Sequence, residues 1–210
     1  KVYEVHPPIV GEDIREKGKS KTGVEWADNG EYDIVLGVGR LVAGKRFDLL
    51  IRAFRYVSGK RKTRLVIVGK GPDEERLARV VMDLGLSDQV HFAGYSSNPY
   101  AWMRKAKVLV LPSERETFGF VLIESLYLGT PWVSVPGPKG PHTILKETGR
   151  GRIAGDAEPK SLARAIEIEI NSSSSSQQNK SAVWKYEADS SAREHINIIK
   201  DVISRRQKRS

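Results

Sequence analysis

The 210-residue chain contains no cysteine. That excludes a disulfide framework and any thiolate metal site. Histidine is scarce too: four residues, His6, His91, His142 and His195, are scattered along the chain, without the spacing of a metal ligand set. No apolar run approaches the roughly 20 residues that a helical membrane span needs. The first thirty residues also lack the apolar centre of a secretory leader. These absences fit a soluble or peripheral protein of a reducing compartment, and a cytoplasmic location is the expectation. What is present is a series of short apolar segments in a chain that is 39% hydrophobic, enough to bury one sizeable core. The formal charge of +9 favours anionic partners such as nucleotide phosphates, anionic lipid head groups or nucleic acid. The basic end "KDVISRRQKRS" suits peripheral contact with an anionic membrane surface at about 1 kcal/mol per basic residue, or is simply a solvated end. No aromatic and basic stacking platform accompanies the charge, so nucleic acid is not an expected partner.

Strand and helix patterns alternate along the chain. "YDIVLGVG" reads as a strand, and "RFDLLIRAFRYV" follows with Phe47, Leu50, Ile51, Phe54 and Val57 at helical spacing. "RLVIVG" is the next strand. In "GPDEERLARVVMDLG" after it, Pro72 opens a helix, acids fill the first turn and Gly85 closes it. "QVHFAGY", "KVLVLPS", "WVSVPGP" and "GRIAG" supply further strands. Between and after them, "NPYAWMRKA" with Pro99 at the first helical position, a short helix at "HTILKE", and "EPKSLARAIEIEI" supply helices. Strands apolar on both faces, alternating with helices, predict a Rossmann-like, doubly wound parallel α/β sheet. The first thirty residues show no core pattern, and residues 1–20 read as a linker. The Rossmann-like domain spans 21–170, and the Ser-rich 171–180 forms a connector. Residues 181–210 form a final helix, continuous over 182–203, with a basic tail.

Ligands of such sheets gather beyond the carboxyl ends of the strands. Each strand here runs into a glycine-bearing loop: "GVGRLVAGK", "GKGP", "AGY", "PSERETFG" and "PGPKGP". Glycine permits close backbone approach, and Arg40, Lys45 and Lys70 add positive charge, a combination suited to phosphate. Residues 39–45, "GRLVAGK", also satisfy the spacing of a P-loop between strand and helix. Against a P-loop NTPase stand Arg46, where a hydroxyl would hold magnesium, and the lack of a strand ending in aspartate.

In "ERETFGFVLIESLYLGTP", a helix beginning near Phe118 to Phe120 offers the amides of Phe118, Gly119, Phe120 and Val121 to an anion. Glu116 lies in the loop before that helix and Glu124 about one turn inside it. Neither stands where a capping box requires an acid. An ionised carboxylate only accepts hydrogen bonds, so it suits vicinal sugar hydroxyls. Two carboxylates flanking one phosphate site describe a pocket for a nucleotide sugar. The competing interpretation is that Glu124 is an ordinary helix glutamate neutralised by a nearby Arg or Lys.

Taken in order, "VGRLVAGKRFDLLIRAF", "LVIVGKGPDEERL", "LGLSDQVHFAGYSSNPYAWMRKAKVLVLPS" and "ERETFGFVLIESLYLGTPWVSV" resemble the donor-binding C-terminal half of family 4 retaining glycosyltransferases with the GT-B fold. The likeness runs from about residue 32 to 170. "NPYAWM" and "GPHTILKETGRG" resemble the subgroup acting on lipid-linked or surface glycans. The resemblance implies that Arg40 and Lys45 bind the donor diphosphate and stabilise the charge growing on the leaving phosphate. It implies that Glu116 holds hydroxyls of the transferred sugar beside the backbone of Phe118, Gly119 and Phe120, and that Glu124 accepts from the ribose. The base would lie against Gly69 and Lys70 and around Gly94 and Tyr95, and Gly39 is a further donor-binding position. No metal or other cofactor is implied, and the donor expected from the subgroup is a UDP-hexose.

Three positions depart from that pattern: Arg46 replaces a common glycine, Thr117 stands where glycine is frequent, and Thr143 stands where the subgroup often has glutamate. A GT-B enzyme has two Rossmann-like halves and this chain has room for one, so a glycan or lipid-linked acceptor would be bound by a missing N-terminal domain. Residues 181–210 would then be the helix that crosses back to it. The isolated chain is expected to bind donor without turnover. The alternatives from other classes are a non-catalytic nucleotide-binding module and the P-loop NTPase.

Overall fold

The structure, a computed structural model, describes residues 5–57, 62–172 and 181–207. In chain order these form α1 (Glu12–Gly18), α2 (Glu25–Asp28), β1 (Asp33–Val38), α3 (Phe47–Val57), β2 (Thr63–Val68), α4 (Glu74–Asp83), β3 (Val90–Gly94) and α5 (Tyr100–Lys105). There follow β4 (Val108–Leu111), α6 (Phe120–Tyr127), β5 (Trp132–Ser134), α7 (Lys139–Thr148), β6 (Arg152–Ile153), α8 (Pro159–Asn171) and α9 (Ala188–Gln207). The six strands make one sheet in the order β3-β2-β1-β4-β5-β6. Every pairing is parallel, from Asp33 opposite Thr63 at one end of β1 to Val38 opposite Val68 at the other. The Rossmann-like reading of the sequence holds.

The period-two alternation of the strands decides how the helices are layered. Val35, Leu65, Ile67, Val108 and Val110 point to one face, where they meet Phe47, Leu50, Ile51 and Phe54 of α3, Leu77 of α4 and Leu162 and Ile166 of α8. Their neighbours Ile34, Leu36, Val66, Val68, Leu109 and Leu111 point to the other, against Trp102 and Met103 of α5, Leu122 and Leu126 of α6 and Ile144 of α7. The edge strands β3 and β6 are only partly covered. On the outer side of β6, Arg152 Nε donates to Oε1 of the buried Glu169 on α8 at 2.9 Å.

Four expectations are corrected. The first thirty residues contribute to the core: Val10, Ile14 and Ala27 are buried, and α1 packs against α5. Pro72 and Pro99 precede their helices: Asp73 caps α4 and its N–H donates to Leu41 O at 3.1 Å, while Pro99 itself stands at the cap of α5. The helix at "HTILKE" is longer, running over Lys139–Thr148. The final helix is interrupted. Trp184–Tyr186 form a 3-10 turn and Glu187 is extended before α9 starts. The cause is tertiary: Ile9 and Val10 N–H both donate to Tyr186 O, and Ala188 N–H donates to Val10 O, so the segment pairs with the N-terminal stretch. Residues 173–180 of the Ser-rich connector lie outside the described residues.

At the N-terminal ends of the strands sits an aromatic cluster that sequence alone did not place. Trp26 meets Tyr32 and His91 edge-on at 5.7 and 5.8 Å. The Arg64 guanidinium lies 4.6 Å from the Trp26 ring centroid and 4.3 Å from that of Tyr32. Burial, reinforced by the Arg64 charge, holds the His91 imidazole below its ordinary pKa.

Candidate functional site

The strand order reverses between β1 and β4, since the chain runs outward from β1 through β2 to β3 and then returns to β1's other side. In a doubly wound sheet the crevice at such a switch, beyond the carboxyl ends, is the usual ligand site. A cleft of about 510 Å³ lies there, walled by Val38 at the end of β1, Gly39 after it and Leu111 at the end of β4. Beside it, a recess of about 350 Å³ extends over the ends of β2 and β3 and shares Gly39 and Arg40 with the cleft.

The sequence-predicted residues converge on these two spaces. Arg40, Lys45, Glu116, Phe118, Gly119, Phe120, Val121 and Glu124 line the cleft. Gly69, Lys70 and Tyr95 line the recess. Gly94 lines neither; its carbonyl accepts from Gly69 N–H at 2.7 Å and so holds the β2 and β3 ends together. Pro99, Tyr100, Met103 and Thr117 also line the cleft and were not predicted as site residues.

Close backbone contact shapes the floor. Gly39 N–H donates to Val68 O, and Leu41 N–H to Lys70 O. A Cβ on Gly69, whose φ is +144°, would lie 1.9 Å from Gly39 O, so only glycine lets the two strand-end loops touch. Residues 43–45 form a 3-10 turn that interrupts the path from strand to helix, and Glu114 N–H donates to Gly44 O across the crevice at 3.0 Å. Residues 39–45 are thereby tied to the β4–α6 loop. Arg46, at the end of that turn, has φ +50° and is the only described non-glycine residue with positive φ. The glycine implied at this position by the family pattern is thus explained by a left-handed backbone, while Thr117 sits in its loop with no such demand.

Charge is arranged unevenly. Lys45 Nζ donates to Glu116 Oε2 at 2.7 Å, whereas Arg40 and Lys70 are exposed and have no ion pair among the described residues. Helix α6 begins at the cleft with Gly119 in the left-handed region, φ +88°, as its cap, and no acid neutralises its first turn. Its positive end therefore lies at the cleft that Arg40 and Glu116 also line. Glu124 is not neutralised by a cation: its partner among the described residues is the Tyr100 hydroxyl, which donates to Oε1 at 3.2 Å. Burial pushes the Glu124 carboxyl above its ordinary range, against the lowering effect of that hydrogen bond. The Tyr100 hydroxyl is pushed up to about 12 by burial and then by the adjacent Glu124 charge. Tyr95 and Phe120 expose 73% and 53% of their surface at the rim, a large apolar area for rings that border a polar site. No cluster of three or more metal-ligating side chains occurs among the described residues, and none of their helices is long and apolar enough to cross a membrane.

Residues 19–189 match the family described as glycosyl transferases group 1. The chain belongs to that family. Among its curated relatives is the lipopolysaccharide core biosynthesis glycosyltransferase LpsE of Rhizobium meliloti, 32% identical over 64% of this chain and 38% of its own length. Another is the Campylobacter jejuni N-acetylgalactosaminyltransferase that acts on a diphospho-undecaprenol glycan, 41% identical over 44% of this chain and 25% of its own. The chain thus spans less than half the length of these relatives. Of solved structures, Anabaena HepE in complex with UDP and glucose superposes with a TM-score of 0.67 at 20% identity, over 97% of this chain and 56% of that one. The lipopolysaccharide outer core galactosyltransferase WaaB superposes at 0.70 and 21% identity, over 96% and 55%. These likenesses establish the GT-B type of Rossmann-like fold. The family match, which spans residues 39–45, is to glycosyl transferases and not to P-loop NTPases.

Proposed function

We propose that the chain is the donor-binding part of a family 4 retaining glycosyltransferase, taking a UDP-hexose and serving transfer to a glycan or lipid-linked acceptor. The observation that carries this is the composition of the cleft at the strand-order switch: Arg40, with no ion pair among the described residues, the Glu116-bound Lys45 and the start of α6 line one space, with Glu116 before that helix start and Glu124 about one turn inside it. UDP and glucose occupy the structural relative HepE, and the curated relatives act on lipopolysaccharide core and on an undecaprenol-linked glycan. Acceptor binding is assigned to a domain outside this chain, and catalysis to the cytoplasm, with peripheral contact at the cytoplasmic face of a membrane.

The mechanism follows from charge and geometry. The diphosphate lies between Arg40, Lys45 and the α6 amides, which take up the negative charge that grows as the glycosidic bond to phosphate breaks. Preorganised cations and amides supply this stabilisation without a metal ion. Glu116 holds sugar hydroxyls, so its bond to Lys45 is shared or exchanged when donor enters. That exchange delivers Lys45 to the phosphate at the moment its carboxylate partner turns to the sugar. Glu124 accepts from the ribose, and the base rests in the recess against Gly69, Lys70 and Tyr95.

Thermal shift of the 210-residue chain against UDP, GDP, ADP and ATP, each with magnesium and with EDTA, tests the proposal. A ligand at 100 times its Kd adds about 2.7 kcal/mol, roughly 5 to 10 °C for a domain of this size. Equal stabilisation by UDP in magnesium and EDTA is the expected result. A shift with ATP and magnesium alone would overturn it.

A further inference from the structure

We propose that Tyr100 is a positioning residue for the nucleotide ribose: its hydroxyl holds Glu124 Oε1 and leaves Oε2 to accept from the ribose hydroxyls. The inference rests on the reading of Glu124 as the ribose acceptor. Tyr100 is the first residue of α5 and Glu124 the fifth of α6. These helices pack against each other, and both side chains line the cleft.

A carboxylate in a largely buried place without a cation needs a hydrogen-bond donor to stay ionised. Tyr100 provides one over a distance of 3.2 Å. Because its hydroxyl titrates only near 12, it is a donor throughout the working pH range and cannot act as a base. The Glu124 carboxylate is therefore oriented before any ligand arrives, and the ordering cost does not fall on binding. The other charged groups around the pair are Asp13 and Lys17 of α1, with Lys17 Nζ 6.0 Å from the Tyr100 ring, and Arg40, Lys45 and Glu116 across the cleft. No hydrogen bond or ion pair from these groups reaches Glu124 among the described residues.

The test is calorimetric titration of UDP and 2′,3′-dideoxy-UDP into the chain, Tyr100→Phe and Glu124→Gln, from pH 4.5 to 8. The unaltered chain should prefer UDP by about tenfold. In Tyr100→Phe, UDP should weaken by roughly fivefold, the size of one hydrogen bond, and dideoxy-UDP by less than twofold. The pH below which UDP binding declines should also move upward in this variant, because the carboxyl without its donor takes a proton more readily. A Tyr100→Phe chain that keeps both the UDP preference and the acid limb overturns the role of Tyr100. If Glu124→Gln also keeps the preference, the ribose reading of Glu124 falls with it. Binding of no nucleoside diphosphate by the unaltered chain overturns the donor reading beneath both. Should Tyr100→Phe fail to fold, the Tyr100 hydroxyl proton followed by NMR in the unaltered chain decides. It should stay protected from exchange with UDP bound, and its loss on saturation would overturn the proposal.

Discussion

The two ends of the sheet treat the same residue types in opposite ways. At the N-terminal end, Arg64 is laid over Trp26 and Tyr32, and His91 completes the cluster. Cation and rings there use up each other's binding capacity. At the carboxyl end, Arg40 and Lys70 stand exposed without ion pairs among the described residues, while Tyr95 and Phe120 keep most of their surface in solvent. Stability accounts for the first arrangement and leaves the second unexplained, which is why the second reads as a site. Glu116 and Glu124 repeat the lesson on a smaller scale: one is held by a cation, the other only by a hydroxyl.

Substitutions can break this contrast from either side. The largest effect is expected for Gly69→Ala, whose Cβ would meet Gly39 O at 1.9 Å with φ at +144°. Denaturant unfolding should show a loss of about 3 kcal/mol or more, because backbone has to move. At the opposite end, Trp26→Ala removes a half-buried ring and should cost about 2 kcal/mol of stability. Its UDP affinity in calorimetry should not change. Lys45→Ala should weaken UDP about tenfold with little change in melting temperature. Glu116→Gln, which removes the negative charge that holds Lys45 at 2.7 Å, should strengthen UDP a few-fold, so opposite signs for the two partners would show that the pair competes with phosphate. The smallest effect is expected for Arg46→Gly. Relief of the left-handed backbone at φ +50° should raise unfolding stability by about 1 kcal/mol.

Local pattern made much of the fold legible before any coordinates. The five apolar positions read from "RFDLLIRAFRYV" are all buried, because helical spacing and a core-facing stripe are the same information. The strands announced themselves through apolar runs, and glycine-bearing loops marked where they end. What stayed hidden was set by contacts distant in sequence. Lys45 and Glu116 lie 71 residues apart, and Tyr100 and Glu124 lie 24 apart, so spacing alone could not tell a Glu124 held by hydroxyl from one neutralised by a cation. The N-terminal helix was missed because α1 and α2 span seven and four residues, too short for a periodic signal. The break before α9 was invisible for a related reason: Trp184–Tyr186 follow the N-terminal stretch rather than their own helical preference. Arg46 could be flagged only as a missing glycine; the backbone geometry supplies its cause.

The pairing of Val10 with Glu187 gives the domain a mechanical property. Ile9, Val10 and Ala188 are joined through Tyr186 O and Val10 O within a few ångströms. Nearby, His6 lies 3.3 Å from both Glu147 and Glu194, and Ser191 Oγ donates to His6 O. These bonds join the segment before α1 to the start of α9, and Val10 and Tyr186 also pack in the core on the α5–α6 side of the sheet, with the Tyr186 ring 5.9 Å from that of Phe118 at the cleft. The two segments that bracket the sheet in sequence thus form one buttress, which backs the cleft wall at Phe118 from behind.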